Sequence, residues 1–580
     1  MAQIRHIHIK RFRVINELIW FPKPGLNCLI GSGDSGKSTV LDAIDLAIGA
    51  RRSYPFTDSD FFQLNTKNPI EIFVTIGALD DQLKNIEAYG MFLRGFNSAT
   101  GEIVDEPLSG KEVVLTVKLT VGEDLEPDWL LYSERAVADG LERRLQWKHR
   151  ELISSARLGA APDYHFAWGN KSILNKLSEK NINASLTLAQ LGRKAREAFS
   201  GGEVAGINAV LIQVKNIANK LGVSVGDLKA LLDANSVSLA HGAISLHNDD
   251  NTPLRQLGTG SSRLLISGLQ KCTNISKILI VDEAEYGLEP FRITRLLNEL
   301  GSKDESQEQQ VFITTHSPYV LRELKAEQLH VVRKVGIVPF PPPNTHCSHY
   351  IHTLTGGNEE QSTLRVCAEA FFSRSVIVCE GKTEIGIVKG IDLYCQDQGH
   401  MSIQAHGAYW ADGGGQTQFQ RAKIFNMLGY PTAIFKDSDK QEEEIEETIE
   451  AKRIGIKIFE WGENNATEDA LFKSCPEVVI PALIDLAVER KGRESINSNI
   501  QKYSGNSFNL EDCRTKFQDT MRTILSKAAK SKNGAWYKDI EPAENIARSI
   551  IAPHYSNFGK LLTKPINELF AWAKSVGGFL

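Results

Sequence analysis

Two groups of acidic residues in the second half of the chain have the type and spacing of a divalent-cation site. Glu380 ends an apolar, strand-like run and is followed by a glycine and, four positions on, by Glu384. Further along, Asp437 and Asp439 come directly after a second apolar run. Because the carboxyl ends of parallel strands meet at one edge of an open α/β sheet, we expect Glu380, Asp437 and Asp439 to lie together. Carboxylates this close repel one another, and a hard divalent cation with oxygen ligands would keep them ionised.

A glycine-rich segment near the start of the chain has the pattern of a phosphate-binding loop. Residues 31–38, G-S-G-D-S-G-K-S, fit G-x-x-x-x-G-K-[ST] and stand between a buried apolar run and a helix pattern. In such a loop backbone N–H groups surround phosphate oxygens, the lysine reaches the β- and γ-phosphates, and the serine hydroxyl holds Mg²⁺. We expect the ATP contacts to come from these residues of the loop and helix: Gly31, Gly33, Asp34, Gly36, Lys37, Ser38 and Thr39.

A second apolar run carries the acids that ATP hydrolysis needs. Residues 278–281 are Ile-Leu-Ile-Val, and Asp282 and Glu283 follow them directly. We expect Asp282 to bind the Mg²⁺ of ATP through water, and Glu283 to orient or deprotonate the attacking water.

The remaining motifs resemble those of ABC-type ATPases of the SMC and DNA-repair branch. L-G-T-G-S-S-R at 257–263 stands in the place of the signature loop, the later G-L-E-P in that of the D-loop, and His316 in that of the switch histidine. The sequence around Gly258 and Gly260 differs from the usual S-G-G-Q, although small residues remain at the predicted helix start. Gln63 is the candidate Q-loop glutamine. The resemblance implies that the signature helix of one subunit completes the ATP site of another, so that hydrolysis requires association.

The carboxylate set resembles the TOPRIM fold of topoisomerases, primases and related nucleases. A TOPRIM domain after an SMC-like ATPase on one chain is the arrangement of the OLD (overcoming lysogenization defect) family nucleases, close to the Gabija nuclease subunit type. The resemblance implies a two-metal DNA endonuclease that uses Mg²⁺ or Mn²⁺ and is controlled by an ABC-type ATPase dimer. In that picture Glu380, Asp437 and Asp439 hold one ion.

The same resemblance implies further site residues downstream. Glu384 and a later acid, Glu468 or Asp469, would serve the second ion. Family members also place a late lysine near the scissile phosphate. By position we favour Lys538 for this role, with Lys560 as the rival.

The elements that must position these residues predict an α/β protein. Strands are predicted at 4–12, 26–30, 70–76, 113–121, 278–282, 311–315, 376–379, 432–435 and 456–459, and the chain after residue 468 reads as mainly helical. A proline-rich stretch at 339–344 marks a boundary zone. We therefore expect five segments: an ABC-type ATPase domain in two parts (1–170 and 237–338) that flank a helical dimerisation insertion (171–236), a linker (339–370), and a C-terminal TOPRIM domain with helical additions (371–580).

Composition limits the class of protein. The chain has 580 residues, of which 42% are hydrophobic and 24% charged, with a formal net charge of −5. These values exclude wholesale disorder, and the apolar runs are too short to span a bilayer. The eight dispersed cysteines contain no C-x-x-C pair and read as reduced thiols. We expect a cytoplasmic protein with no membrane partner.

The expected partners are DNA and further copies of the chain, as a dimer or a dimer of dimers. Residues 490–532 include ten Lys and Arg and only four Asp and Glu. This excess of positive charge predicts a basic track that binds the phosphate backbone of DNA. Some relatives in anti-phage operons work with a separate helicase-like subunit, and phage defence or DNA metabolism is a family-level inference only.

Two other functions remain open from the sequence. The chain could be an SMC-like ATPase that senses or scaffolds DNA with a non-catalytic TOPRIM domain. It could also be a TOPRIM strand-passage enzyme, which needs a nucleophilic tyrosine and leaves protein covalently attached to DNA. The sequence does not decide whether ATP activates or inhibits cleavage.

Overall fold

The computed structural model describes most of the chain outside the predicted insertion. It covers 2–158, 246–249, 251–273, 277–304, 309–334, 347–440, 442–462, 464–515, 517–531 and 534–576, with seven isolated positions between 159 and 245. The predicted helical insertion at 171–236 lies outside the described residues apart from those positions. The chain divides into two compact units, one of Met1–Ala156, Lys277–Glu285 and Gly301–Leu580, the other of Arg157–Ser276 and Tyr286–Leu300. The predicted domain boundaries stay predictions.

Strands supply the scaffold of both predicted domains. In chain order they are β1 (Gln3–Phe12), β2 (Ile15–Trp20), β3 (Leu26–Ile30), β4 (Ile70–Gly77), β5 (Leu93–Phe96), β6 (Ile103–Val104), β7 (Glu112–Val121), β8 (Pro127–Tyr132), β9 (Ser155–Leu158), β10 (Ile278–Val281), β11 (Gln310–Thr314), β12 (Leu329–Lys334), β13 (His349–Thr353), β14 (Ser375–Cys379), β15 (Ala408–Asp412), β16 (Thr432–Lys436) and β17 (Lys457–Glu460).

Helices connect and cover these strands and dominate the C-terminal part. They are α1 (Lys37–Ile48), α2 (Ile86–Tyr89), α3 (Glu134–Ala138), α4 (Trp147–Ile153), α5 (Thr259–Thr273), α6 (Pro290–Glu299), α7 (Pro318–Glu323), α8 (Asn358–Val366), α9 (Lys382–Asp397), α10 (Gln418–Met427), α11 (Ile445–Arg453), α12 (Thr467–Ser474), α13 (Ile480–Lys491), α14 (Arg493–Ser504), α15 (Leu510–Thr515), α16 (Asp519–Ala529), α17 (Ile540–Ile546) and α18 (Lys560–Val576). No helix among the described residues is long and apolar enough to cross a membrane.

The N-terminal region combines an antiparallel and a largely parallel sheet. The antiparallel sheet has the order β2-β1-β4-β7-β5-β6, with β8 also paired to β7. The second sheet has the order β13-β12-β3-β11-β10-β9. In it β12, β3, β11 and β10 run parallel to one another, and β13 pairs antiparallel with β12. Every residue of β3, β10 and β11 is buried, as expected for parallel strands covered on both faces. The carboxyl ends of these three strands therefore share one edge.

A four-stranded parallel sheet in the order β15-β14-β16-β17 is the third sheet. Strand β14 is central, and its register with β16 pairs Cys379 with Phe435. The predicted α/β fold class is confirmed by these parallel sheets with their covering helices. The adjacency of β14 and β16 places the residues after both strands at the same edge.

Candidate functional site

The phosphate-binding loop follows β3 and depends on its glycines. Gly31 has φ +143°, and a Cβ there would lie 2.6 Å from the carbonyl oxygen of Val332. Gly36 has φ +88° and precedes the first residue of α1. Gly33 has open space on its Cβ side. Two of the glycines are therefore required by backbone shape or crowding, and the third leaves the loop surface open to a ligand.

Lys37 lies against this loop. Its Nζ donates to the carbonyl oxygens of Gly31 at 3.1 Å and Ser32 at 2.9 Å. Burial lowers the pKa of Lys37 to about 8, against the opposing charges of Asp34 and Asp282. The ammonium is thus held by neutral carbonyls, which an anionic phosphate could replace.

The acids after β10 meet both the loop and the end of β11. The hydroxyl of Ser38 donates to Oδ1 of Asp282 at 3.2 Å, and the hydroxyl of Thr314 also donates to that oxygen. The backbone N–H of Glu283 donates to Thr314 Oγ1 at 2.8 Å. The predicted pair Ser38 and Asp282 is therefore brought together, with Thr314 as a link that the sequence analysis did not identify.

Glu285 is a second residue that the sequence analysis missed. Its carboxylate accepts from Thr315 Oγ1 at 2.6 Å and from the backbone N–H of His316 at 2.7 Å. Glu285 therefore fixes the segment that carries His316 relative to β10. The signal available in the sequence was the third acid of D-E-A-E, two positions after Glu283.

The signature segment belongs to the other compact unit. Gly258 has open space on its Cβ side, whereas a Cβ on Gly260 would lie 2.8 Å from the carbonyl oxygen of Gly287. The guanidinium of Arg263, which is buried, donates to the carbonyl oxygen of Tyr286 at 2.9 Å. The small size of Gly260 thus serves packing against the predicted D-loop, and only Gly258 is open in the way that a phosphate contact requires.

The other predicted nucleotide residues have the following positions. Asp34 is exposed with φ 59°, and Thr39 is buried in the first turn of α1. Gln63 lies in the short 3-10 turn Phe62–Leu64 with φ 55°. Its role as a Q-loop residue stays a prediction.

Glu380 and Asp437 meet at the carboxyl edge of the third sheet. The backbone N–H of Asp437 donates to Glu380 Oε2 at 3.0 Å, and Lys440 donates from Nζ to Glu380 Oε1 at 2.9 Å. The carbonyl oxygen of Glu380 accepts from the N–H of Gly415, in the loop after β15. The predicted proximity of Glu380 and Asp437 is thereby observed.

A single hydroxyl group joins two of the acids. Thr467, the first residue of α12, lies with its Oγ1 2.7 Å from Glu384 Oε1 and 2.8 Å from Asp437 Oδ1. The same oxygen accepts from Trp461 Nε1 at 2.8 Å, and the backbone N–H of Thr467 donates to Asp437 Oδ1 at 3.0 Å. A hydroxyl has one proton to donate, so it cannot satisfy two ionised carboxylates at once. When both acids are ionised, one of them therefore lacks this donor, and a proton or a cation would compensate its charge.

The ionisation of these acids is correspondingly shifted. Burial, with the neighbouring Glu380 and Glu468, raises the pKa of Glu384 to about 7. Burial and the charges of Glu384 and Glu380 raise the pKa of Asp437 well above its usual range. Burial also raises the pKa of Glu468, with Asp469 acting in the same direction. Buried carboxylates that disfavour their own charge are typical of functional sites.

Glu468 and Asp469, the two alternatives for the downstream acid, have different surroundings in the structure. Although burial acts in the opposite direction, hydrogen bonds from Lys530 and Ser526 lower the pKa of Asp469. Asp469 also accepts from the backbone N–H of Ala466 at 3.1 Å, so it caps α12. Glu468 instead raises the pKa values of Glu384 and Asp437 by its charge and belongs with them. The geometry therefore favours Glu468 for the acid cluster.

Asp439 and the two lysines lie at the rim. The side chain of Asp439 is exposed, and its charge acts on Lys440. Lys538 is also exposed, follows two buried aromatic residues and lowers the pKa of Glu468. Lys560 is an exposed residue at the start of α18. The electrostatic effect of Lys538 on Glu468 favours Lys538 over Lys560 as the site lysine.

The donor chemistry of this cluster fits a divalent cation. Among the residues that the structure describes, no three His, Cys, Asp or Glu side chains are arranged as a ready-made metal site. The cluster nonetheless offers buried carboxylate oxygens, which magnesium and manganese prefer, and one shared hydroxyl proton that leaves a negative charge to be neutralised. Glu384, Asp437 and Glu468 are the residues that would hold such an ion.

Two family models match the regions of the chain that contain these residues. Residues 26–322 match the model of an AAA domain, whose description associates it with the AbiEii toxin of Type IV TA systems. That match spans the phosphate-binding loop, Asp282 and His316. The chain belongs to this AAA-domain family. Residues 371–439 match the TOPRIM domain of overcoming lysogenization defect protein-like chains. The matched range includes Glu380, Glu384, Asp437 and Asp439. The predicted resemblance to the OLD family is confirmed.

A curated relative is similar to part of the chain. The chain is 24% identical over 360 residues to the OLD nuclease of Thermus scotoductus, a match that covers 57% of this chain and 62% of that protein. The matched region thus spans less than two thirds of the length of the relative.

Solved structures of SMC heads are also similar. An SMC head bound to the C-terminal winged-helix domain of ScpA has 13% identity and a TM-score of 0.34, covering 61% of this chain and 98% of that one. The SMC head domain from Thermotoga maritima has 14% identity and a TM-score of 0.29, covering 61% and 99%. At these scores the fold assignment rests on the sheets and motifs described above.

The predicted basic track is largely engaged in contacts within the chain. Half of its ten basic side chains contact acids or backbone carbonyls, namely Arg490, Arg493, Arg514, Arg522 and Lys530. Two others, Lys516 and Lys532, lie outside the described residues. This segment therefore offers less positive charge to DNA than its composition indicates.

Proposed function

We propose that the chain is a divalent-metal-dependent nuclease that cleaves DNA, with an ATP-binding and ATP-hydrolysing domain on the same chain. The observation that carries the proposal is the pair Glu384 and Asp437 on the single hydroxyl of Thr467, with Glu468 and Glu380 beside them. The TOPRIM match and the OLD nuclease relative support the same reading.

In the proposed reaction these residues have distinct tasks. The family resemblance groups Asp437 with Glu380 and Asp439. Because Asp437 shares the Thr467 hydroxyl with Glu384, we instead assign Glu384, Asp437 and Glu468 to one divalent ion. Glu380 and Asp439 would complete a second position next to Asp437. When bound, Mg²⁺ or Mn²⁺ supplies an activated water and neutralises the leaving 3′-oxygen. Thr467 orients two carboxylates through one oxygen.

Lys538 acts on the DNA side of the acid cluster. It lies at the exposed rim within electrostatic reach of Glu468. The buried side chains of Trp536 and Tyr537 hold the segment just before it, and the Tyr537 hydroxyl donates to the carbonyl oxygen of Leu483 at 2.7 Å. In this proposal the lysine contacts the phosphate that is cut.

The proposed ATP site uses the loop after β3. Lys37 would exchange its carbonyl partners for the β- and γ-phosphates, and Ser38 and Asp282 would hold the accompanying Mg²⁺. Glu283 positions or deprotonates the attacking water, and His316, fixed by Glu285, faces the γ-phosphate. The open Gly258 serves an ATP bound by a second copy, so ATP favours a homodimer or a dimer of dimers.

A plasmid assay with the full chain tests the proposed function. We expect the wild type to nick or linearise supercoiled DNA with Mg²⁺ or Mn²⁺. Asp437→Asn should lower the rate by about 100-fold or more, because the buried site loses a charged ligand. Asp397→Asn is the matched control, since Asp397 forms an exposed ion pair with Arg548.

Three results would count against the proposal. Equal cleavage by the wild type and Asp437→Asn would exclude this carboxylate site. DNA binding with no cleavage under any metal and nucleotide condition would indicate a sensor or scaffold. Protein covalently attached to DNA would indicate strand passage by a TOPRIM enzyme.

A further inference from the structure

Both oxygens of Glu380 are hydrogen-bonded within the chain. Lys440 donates to Oε1 at 2.9 Å, and the backbone N–H of Asp437 donates to Oε2 at 3.0 Å. The side chain of Glu380 is only 13% exposed, whereas that of Lys440 is 47% exposed. An ion pair between a largely buried carboxylate and a half-exposed ammonium therefore lies at this side of the site.

The neighbouring acids are held by neutral donors instead. Glu384 accepts from the backbone N–H of Gly381 at 2.9 Å and from the hydroxyl of Thr467. Asp437 accepts from the hydroxyl and the backbone N–H of Thr467. The two halves of the acid cluster thus differ: Glu380 is paired with a lysine, whereas the structure's described residues form no ion pair with Glu384 or Asp437.

A divalent cation meets a different obstacle at each half. At Glu384 and Asp437 it replaces at most a proton, and it gains the attraction of two buried carboxylates. At Glu380 it must first displace the ammonium of Lys440, which already cancels the charge. The first half should therefore bind a cation more tightly than the second.

Lys440 is able to leave Glu380 without disturbing the fold. Its backbone is fixed in a turn, because its carbonyl oxygen accepts from the N–H groups of Glu443 at 3.1 Å and Glu444 at 3.2 Å. Its side chain is a flexible four-carbon stem that ends in a compact charge, which binds phosphate as a point charge. The Lys440 ammonium can therefore move away from Glu380 while the backbone turn keeps its conformation.

We propose that the ammonium of Lys440 neutralises Glu380 until a DNA phosphate binds that ammonium instead. Glu380 then becomes available to a metal ion, so the second divalent ion binds together with the DNA. The inference rests on the proposed nuclease function. Its consequence is that the complete metal site forms only on the substrate, which limits capture of a second metal ion by the protein alone.

Mn²⁺ binding to the full chain tests this inference independently of cleavage. Electron paramagnetic resonance measures unbound Mn²⁺, with and without a short phosphorothioate duplex, and the duplex alone is the blank. The variants are Lys440→Met, which removes the ammonium, and Lys440→Arg, which keeps the charge. Lys423→Met is the matched control, because Lys423 pairs with Glu450 on α11, away from Glu380.

We expect the wild type to bind one Mn²⁺ tightly and a second one only when DNA is added. Lys440→Met should bind the second ion about fivefold more tightly without DNA, with little further gain from DNA. Lys440→Arg and Lys423→Met should behave like the wild type. Lys440→Met with unchanged Mn²⁺ binding would overturn the inference while leaving the proposed function standing. Failure of every variant to bind Mn²⁺ at all, even with DNA, would overturn both.

Discussion

At the scale of single residues, the hydroxyl of Thr467 serves two buried carboxylates with one proton. Glu384 has a pKa of about 7 in the folded chain, whereas its ordinary pKa, expected in the unfolded chain, is 4.5. The folded state thus binds more protons than the unfolded state between these values, and without metal its stability falls as pH rises through this window. A divalent cation bound to the ionised form reverses the trend.

This linkage gives a prediction for thermal unfolding in chelator. Raising the pH from about 5 to 8 should lower the unfolding midpoint of the wild type relative to Glu384→Gln by about 2 °C or more. Adding Mg²⁺ at pH 8 should restore the wild type and leave the variant little changed. Scanning calorimetry or circular dichroism measures both effects. A wild type and a variant with parallel pH dependence, in chelator and in Mg²⁺, would contradict the shifted carboxyl pKa.

The acids of the ATP site give a second prediction at this scale. Glu283→Gln should bind ATP but lower its turnover by about 100-fold or more, because the amide cannot accept the proton of water. Lys37→Ala should instead weaken binding, since it removes the ammonium that the loop carbonyls hold. Fluorescent-nucleotide binding and phosphate release separate the two. Normal turnover by Glu283→Gln would show that its role as general base is wrong.

The sequence reveals charged residues at strand ends better than it reveals their partners. Glu380 and Asp437 could be predicted because each follows an apolar run, and parallel strands end at one edge. Thr467 and Lys440 could not, since a threonine at a helix start and an exposed lysine are common everywhere. Asp469 and Glu468 are adjacent acids, and only the contacts of Lys530 and Ser526 with Asp469 tell them apart.

At the scale of elements, the helix that carries Glu384 packs very closely on the helix that follows Lys538. A Cβ on Gly386 of α9 would lie 2.5 Å from the Cβ of Ala543, and one on Gly390 would lie 2.4 Å from the carbonyl oxygen of Glu544. Both contacts are with α17. Two glycines four residues apart thus allow this approach, which fixes the lysine-bearing segment against the acid-bearing helix.

The close approach predicts the effect of a single methyl group. Gly390→Ala should lower the free energy of unfolding by about 1–3 kcal/mol, because the added Cβ overlaps backbone atoms of α17. Cleavage should fall as well, since Lys538 shifts relative to Glu384. Gly268→Ala is the control, because Gly268 lies within α5 with open space at its Cβ, so alanine there should be neutral or stabilising. Equal stability of both variants would show that α9 and α17 are not in this contact.

The element pattern was the easiest part to predict. The strand predicted at 26–30 is β3, that at 432–435 is within β16, and helix α1 begins at the predicted Lys37. Long β-branched or fully apolar runs next to glycine turns determine such elements locally. Short strands such as β15 and β13 were missed, because their formation depends on pairing with β14 and β12 rather than on local sequence.

At the scale of the whole molecule, the ATPase sheet contacts the segment that leads into the TOPRIM sheet. Arg333 on β12 is 2% exposed and donates to the carbonyl oxygens of Ser373 at 3.4 Å and Arg374 at 2.9 Å, directly before β14. Its guanidinium also lies 4.2 Å from the ring centroid of Tyr430. The ring of His316 stacks on Phe372 in the same segment. These contacts join the strand next to the phosphate-binding loop with the strand that ends at Glu380.

This junction predicts a large effect for one buried arginine. Arg333→Met should lower the free energy of unfolding by about 2–4 kcal/mol, because two carbonyl groups lose a charged donor. Arg548→Met, which breaks an exposed ion pair with Asp397, should cost at most about 1 kcal/mol. Chemical denaturation measures both. Similar values for the two variants would contradict a tight junction at Arg333.

The sequence predicted both domains and their order but not this junction. A linker was expected at 339–370, whereas Arg333 precedes that span and its backbone partners follow it. Contacts between residues so distant in the chain depend on how two sheets pack, which local patterns do not encode.

Diffraction from crystals of the full chain, soaked in Mn²⁺ and recorded at the manganese absorption edge, shows whether the acid cluster binds a divalent ion. We expect an anomalous peak bonded to carboxylate oxygens of Glu384, Asp437 and Glu468. Crystals that show no peak at these carboxylates, or show manganese bound only elsewhere on the chain, would contradict it.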